Sequence, residues 1–213
     1  MSGAKNVIDM RPSKGFSPSQ GNEHLRRLDD CERAQKVRWN YDPSREHLNF
    51  EVGKGGVVTE VNKFKTINQR IQENLDSRGI VNPNKKYIDQ GLDPKYRTVA
   101  NFILGGNREV MRNLAFGNQE VDWEHGADNS DLKRMPEIEA WAKDAYAFMC
   151  KKYGEQNIAA FVVHLDEANP HVHCTVLPLT EKNRFSFIKT FMGGVDSRDA
   201  LSKYMETFIP ICR

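Results

Sequence analysis

Three of the chain's six histidines, His164, His171 and His173, fall within ten residues, with Asp166 and Glu167 between them. Apolar runs rich in β-branched residues flank the group at 158–163 and 172–177, a composition that favours strands. The intervening Asp-Glu-Ala-Asn-Pro has turn chemistry, and Pro170 opposes a continuous helix. The spacing therefore predicts a β-hairpin. His171 and His173, two apart on one strand, point to the same face, and His164 at the end of the opposite strand reaches that face too. Three neutral imidazoles suit a transition metal such as Zn or Mn and leave positions open for water or substrate. An open site of that kind does Lewis-acid chemistry. Asp166 and Glu167 either orient the imidazole N–H groups or, in the case of Glu167, act as a base. Alternation along a strand sends the two carboxylates to opposite sides, so one of them faces the metal. The blander readings are hydrogen-bonded core histidines or a structural ion.

The surrounding elements follow from periodicity. A short strand is expected near residues 5–10, then a turn-rich loop over 11–22 and a polar helix over 23–38 carrying His24 in its first turn. Residues 48–52 alternate as a half-buried strand, with a second short strand at 57–61. Val61, Phe64, Ile67, Ile71 and Leu75 mark an amphipathic helix stopped by Gly79. Residues 82–86 read as a loop and 97–104 as a central strand. Asn107 caps a short helix, and 117–130 is a polar excursion. Pro136 opens a helix to about Tyr153 that precedes the histidine hairpin. After the hairpin, 185–191 reads as irregular, and Asp196 or Ser197 caps a last helix containing Leu201, Tyr204, Met205 and Phe208. The order predicts an α+β fold, an antiparallel sheet with helices packed on one face.

Composition narrows the classes. A chain of 213 residues buries one sizeable core. The net charge of +2 does not announce a nucleic-acid partner, although Arg26, Arg27, Lys36 and Arg38 cluster near His24. Four widely spaced cysteines exclude a CxxC zinc finger and a disulfide framework, which points to a reducing, cytoplasmic compartment. No run approaches membrane-spanning length, and the N-terminus is too polar for a signal peptide.

His164-Leu-Asp166-Glu167-Ala-Asn-Pro170-His171-Val-His173 resembles the third motif of the MobV relaxases. These form the plasmid mobilisation and recombination (Mob/Pre) family within the HUH endonucleases. The run Asp42-Pro43-Ser44-Arg45-Glu46-His47-Leu48-Asn49-Phe50-Glu51 is similar to a second family segment. His24-Leu25-Arg26-Arg27 stands where the family has His-Asn-x-Arg, with Leu25 in place of the asparagine and a longer spacing to Asp42. The resemblance implies one relaxase catalytic domain over residues 1–213, the N-terminal part of a longer protein. It implies a metal-dependent enzyme that nicks and rejoins one DNA strand at a transfer origin through a covalent 5′-phosphate link. The metal, Mn or Mg with Zn possible, would be held by His164, His171 and His173. His24 would be the nucleophile, with Glu167 and Arg27 as catalytic partners, and Asp166 and His47 would support the site from behind. Arg26, Arg45 and Asn49 would contact DNA, a single strand or hairpin. A conjugative coupling protein and oligomerisation through segments beyond this region are further expectations. Rival readings are a rolling-circle replication initiator using Tyr41, a DNA-binding module with a structural metal, and a three-histidine zinc hydrolase of small molecules. Trp39, Trp123 and Trp141 are candidate base-stacking platforms, although Trp141 fits the core face of its helix.

Overall fold

The computed structural model describes residues 7–37 and 41–192. The last helix expected from Asp196 or Ser197, and Trp39, lie outside the described residues.

Six strands form one fully antiparallel sheet: β1 (Val7–Ser13), β2 (Phe50–Gly53), β3 (Val57–Glu60), β4 (Val99–Gly105), β5 (Ile158–His164) and β6 (His171–Val176), in the order β1-β4-β6-β5-β2-β3. The hairpin strands β5 and β6 are therefore central, where β-branched residues on both faces find partners. The α+β antiparallel architecture agrees with the sequence pattern.

Alternation assigns the two faces. Phe161 and Val163 of β5, Val172, Cys174 and Val176 of β6, and Ala100, Phe102 and Leu104 of β4 share one buried cluster. It is covered by α5 (Arg108–Phe116), α6 (Pro136–Tyr153) and α7 (Phe187–Phe191). The residues in between face the other way. Ala160 and Val162 join Ile67, Ile71 and Leu75 of α3 (Ile67–Ser77), and Phe16 and Leu25 on either side of α1 (Pro18–His24). Helices thus cover both faces, not the single face expected. The reason is that β5 is apolar at every position before His164, so neither of its faces can be left in water.

Local chemistry explains the helices. Thr66 and Gln69 form a reciprocal capping box on α3, and Asn107 caps α5 through the amides of Glu109 and Val110. Pro136 occupies the first turn of α6, and Gly154, at φ 81°, ends it. The expected helix over 23–38 is instead two, α1 ending at His24 and α2 (Asp30–Val37), separated by a break at Arg26 with φ 52°. Two short helices, α4 (Lys85–Ile88) and α7, occupy stretches expected to be irregular.

Candidate metal centre

The hairpin register sets His164 directly opposite His171, with His173 opposite Val162 two pairs further on. All three imidazoles lie on the face covered by α1 and α3, and each offers a ring nitrogen within 4.8 Å of the others. Ring centroids are 4.7 to 5.4 Å apart.

Their hydrogen bonds fix which nitrogen is free. His164 Nε2 lies 2.8 Å from the His24 carbonyl, and His171 Nδ1 lies 2.9 Å from the Asn169 carbonyl. A carbonyl only accepts, so these nitrogens carry the protons and His164 Nδ1 and His171 Nε2 carry lone pairs. His164 Nδ1 is fully buried without a partner, and His171 Nε2 faces His173 Nε2 at 2.9 Å. Converging lone pairs with an orphaned buried nitrogen are what a cation would satisfy, so these residues fit a divalent ion. Burial lowers the pKa of His164 and His173 well below the ordinary range, with the Arg26 charge adding to the effect, which keeps both rings neutral and able to ligate.

His24 belongs to this centre. It ends α1, is buried, and its ring stacks on His173 with centroids 4.0 Å apart and planes 23° from parallel, while Phe16 meets its other side edge-on. Burial, reinforced by Arg26, outweighs the raising effect of Glu23 and pushes its pKa down to about 4. Its Nδ1 is buried without a hydrogen-bond partner. Leu25, where the family carries asparagine, is 1% exposed and fills the core beneath α3.

The other expected contacts turn inward. Arg26 is 1% exposed and grips Asp166 through two parallel bonds of 2.7 Å, with a third to Glu167 at 2.6 Å. Such a fork onto a carboxylate is strong and directional, which stabilises a backbone conformation that costs a non-glycine residue about 1–2 kcal/mol. Asn49 donates to Asp166 at 2.6 Å and accepts from the Leu165 amide at 2.7 Å. Arg45 donates to Asp42 and to the Leu165 carbonyl, each at 2.8 Å. Asp42 caps a 3-10 turn (Pro43–Leu48), receiving the amide and hydroxyl of Ser44, while its own amide donates to Asp166 O at 2.7 Å. The polar 42–49 run is thus a clamp around the Leu165–Asp166–Glu167 turn. The expectation that Arg26, Arg45 and Asn49 reach DNA is corrected by this placement: their donors are committed inside the protein. His47 also departs from expectation, being exposed and directed at the Ser44 and Leu132 carbonyls rather than toward the metal histidines.

Of the two carboxylates, Asp166 is fully buried in the clamp, and Glu167 lies 3.9 Å from His164 Nδ1. Strand alternation does not sort the two carboxylates, because β5 ends at His164: both accept from the Arg26 guanidinium, and their oxygens and a His164 ring nitrogen lie within 4.8 Å of one another. Arg27 is exposed beside His24. Tyr41 is directed elsewhere: its hydroxyl bonds Glu46 and Arg33, and burial together with the Glu46 charge raises its pKa.

Sequence reasoning missed two contributors. Asn129, in the polar excursion, donates its side-chain amide to Asp42 and its backbone amide to the Ser44 hydroxyl oxygen, each at 2.8 Å. Arg112 of α5 holds the Ala168 carbonyl at 2.8 Å and lies 3.4 Å over the Trp123 ring. Neither has a local signature, because the groups they hold, Asp42 and Ser44 for Asn129 and the Ala168 carbonyl for Arg112, lie more than fifty positions away.

A central His-Val-His strand in an antiparallel sheet, with a third histidine across the hairpin, defines an HUH-type domain. Comparison with known proteins agrees. Residues 117–208 match the sequence profile of the plasmid recombination enzyme family. A plasmid recombination enzyme of Bacillus thuringiensis is 38% identical over 165 residues, covering 75% of this chain and 30% of that protein. The type 1 enzyme of Staphylococcus aureus is 46% identical over 147 residues, covering 66% and 36%. The chain belongs to the plasmid recombination enzyme (Mob/Pre) family, the MobV-type relaxases. It spans about a third of the length of the curated relatives it matches. The MobM relaxase domain, solved with Mn and plasmid pMV158 oriT DNA, shares the fold at a TM-score of 0.61 and 19% identity, over 95% of this chain and 85% of that one. Among the described residues no helix is long and apolar enough to cross a membrane.

Proposed function

We propose that this chain is the catalytic part of a relaxase that nicks and rejoins one DNA strand at the transfer origin of a mobile element, with His24 as nucleophile. The observation that carries the reading is the stacking of His24 on His173, which sets a buried neutral imidazole against the three-histidine centre. Support for the metal and the substrate comes from the MobM domain, which was solved with Mn and oriT DNA.

His164, His171 and His173 would hold the ion, Mn or Mg with Zn as the alternative. A bound divalent ion polarises the scissile phosphate and offsets charge developing on it. His24 attacks the phosphorus through a ring nitrogen, forming an N–P bond as the bond to the 3′ oxygen breaks. The departing oxygen takes up a proton to become a 3′-hydroxyl, and the imidazole releases one from its other nitrogen. The phosphoramidate conserves the phosphodiester energy, so the reverse attack by the 3′-hydroxyl reseals the strand. Arg27, exposed three residues after His24, would pair with a phosphate oxygen. Glu167 accepts from Arg26 rather than from His24. Its carboxylate instead joins Arg26 to the edge of the His164 site, a placement that fits proton transfer at the centre or support of the metal.

Reaction with an origin oligonucleotide in Mn²⁺, followed by mass spectrometry of the DNA-linked tryptic peptide, tests this. The expected adduct is on His24, and His24→Ala abolishes it while Tyr41→Phe does not. The opposite pattern would sink the assignment in favour of a tyrosine nucleophile.

A further inference from the structure

Every carbonyl from residue 165 to residue 169, the link between His164 and His171, has a donor. Arg45 donates to Leu165 O at 2.8 Å and comes within 3.5 Å of Glu167 O, and the Asp42 amide donates to Asp166 O at 2.7 Å. Arg112 Nε donates to Ala168 O at 2.8 Å, and Asn169 O faces His171 Nδ1. The two arginines share one support. The Arg112 guanidinium lies 3.4 Å from the centre of the Trp123 ring and that of Arg45 4.7 Å, while Phe116 meets the indole edge-on. Arg112 and Phe116 are four apart on α5, so one helix face carries both to the indole. Trp123 is held in turn by its neighbour Asp122, whose amide donates to Asn129 Oδ1 at 3.0 Å and whose carbonyl accepts from Asn129 at 2.8 Å. Asn129 also donates to Asp42, the partner of Arg45, which closes the ring of contacts.

We infer that Arg112 and Trp123 are positioning residues for the metal centre: they hold the Ala168–Asn169 peptide so that the Asn169 carbonyl keeps the His171 proton on Nδ1 and leaves Nε2 for the ion. Both residues lie outside the segments 24–27, 42–51 and 164–173, and the inference rests on the relaxase reading only for its consequence in nicking. Pro170 fixes its own φ and disfavours helical backbone at Asn169. The direction of the Asn169 carbonyl then depends on the plane of the preceding peptide, whose oxygen Arg112 holds. Asn169 Oδ1 is buried without a partner, so it accepts no bond that could take over this task. A neutral imidazole without such an acceptor exchanges between two tautomers, and only the Nδ1–H form presents a lone pair at Nε2. Trp123 enters because the face of an indole attracts a guanidinium. Without it, the Arg112 charge is drawn to water and away from the Ala168 carbonyl.

The test reads the tautomer of His171 and the affinity for Mn²⁺ together. Nitrogen NMR of the metal-free chain, above the histidine titration range, should show two widely separated ring signals for His171, the mark of a single tautomer. His171→Gln identifies those signals by their loss. In Arg112→Gln and in Trp123→Leu they should converge, and Mn²⁺ affinity by calorimetry should fall about tenfold, the lower end of what contacts behind a metal ligand contribute. The signals of His47, which has carbonyl partners of its own, should stay in place. Trp123→Phe keeps an aromatic face for the guanidinia and should recover most of both losses. A merely structural role would lower the urea midpoint alone. Wild-type Mn²⁺ affinity and separated His171 signals in Arg112→Gln would therefore overturn the inference whatever the variant's stability, and so would either readout moving without the other. If Arg112→Gln does not fold, Trp123→Leu against Trp123→Phe decides by the same two readouts. A wild-type chain that fixes the tautomer and binds Mn²⁺ but cuts no origin DNA would overturn the relaxase reading and leave the positioning role standing.

Discussion

The two ends of strand β5 handle positive charge in opposite ways. Around His164, cations are paired internally: Arg26 with Asp166 and Glu167, Arg45 with Asp42, Arg33 and Lys63 with Glu46, Arg70 with Glu51. Around Ile158, Lys151, Lys182, Arg184 and Lys189 line a groove between the end of α6 and α7 and have no such partners among the described residues. A net charge of +2 conceals this division. Paired charges at the metal end hold side chains in fixed positions, which catalysis requires. Unpaired charges at the other end leave attraction available to a partner.

The largest effect that probes this division lies at the metal end. His171→Ala removes one of three donors, and nicking should fall about a thousandfold or more, because Lewis-acid polarisation contributes several kcal/mol at the transition state. Chelation by EDTA should do the same to the wild type, and Mn²⁺ should no longer raise the variant's melting temperature. A variant with wild-type nicking and Mn²⁺ response would remove the three-histidine centre from the mechanism.

Next in size is the clamp. Asp166→Ala strands the buried Arg26 guanidinium and should cost about 3–5 kcal/mol in urea unfolding, as breaking one side of a buried pair does. Asn129→Ala takes one bond from Asp42 and should cost about 1–3 kcal/mol, since it leaves buried polar groups unmatched. Equal, small losses for both would mean that the paired charges are incidental rather than the frame of the turn.

Acid should act on the same end. Burial raises the pKa of Asp42 and Glu46, but hydrogen bonds from Ser44, Arg45 and Asn129 to Asp42, and from Arg33, Lys63 and Tyr41 to Glu46, outweigh it and leave both lowered. A carboxyl with a depressed folded pKa binds its proton less readily than in the unfolded chain. Its stabilising contribution is therefore complete above the ordinary carboxyl range and lost as pH falls through the folded value. Urea midpoints measured in EDTA should fall below about pH 4, and Glu46→Gln should flatten the decline. A Gln variant with an unchanged profile would place the acid sensitivity elsewhere.

How much of this could be read in the sequence depends on how far each residue's partner lies along the chain. His164, His171 and His173 were legible because strand alternation and one turn bring them together. Helix α6 and the capped helix at Asn107 were legible for similar local reasons. The break at Arg26 was not, since its left-handed backbone is held by Asp166, 140 positions away. The same holds for Arg45 and Asn49. Their types suggested phosphate contacts, whereas the turn they clamp, at Leu165 to Glu167, is visible only once β2 pairs with β5. The apolar run that becomes β5 was legible, but the helices it draws onto both faces were not, because the packing partners of its second face, Ile67, Ile71 and Leu75, come from a distant part of the chain.

The smallest expected effect is also the sharpest discriminator between the two ends. Lys182→Glu or Arg184→Glu should change unfolding free energy by no more than about 0.5 kcal/mol, because an exposed side chain without an ion pair has no contact to lose. Denaturant unfolding at low and moderate salt measures it, and added salt should move the variant and wild type together. A loss well beyond that figure would mean that the groove cations support the fold, as Arg26 does. The contrast between the two ends of β5 would then be gone. A near-zero change beside a large loss for Asp166→Ala would show that this sheet uses positive charge for rigidity at one end and for attraction at the other.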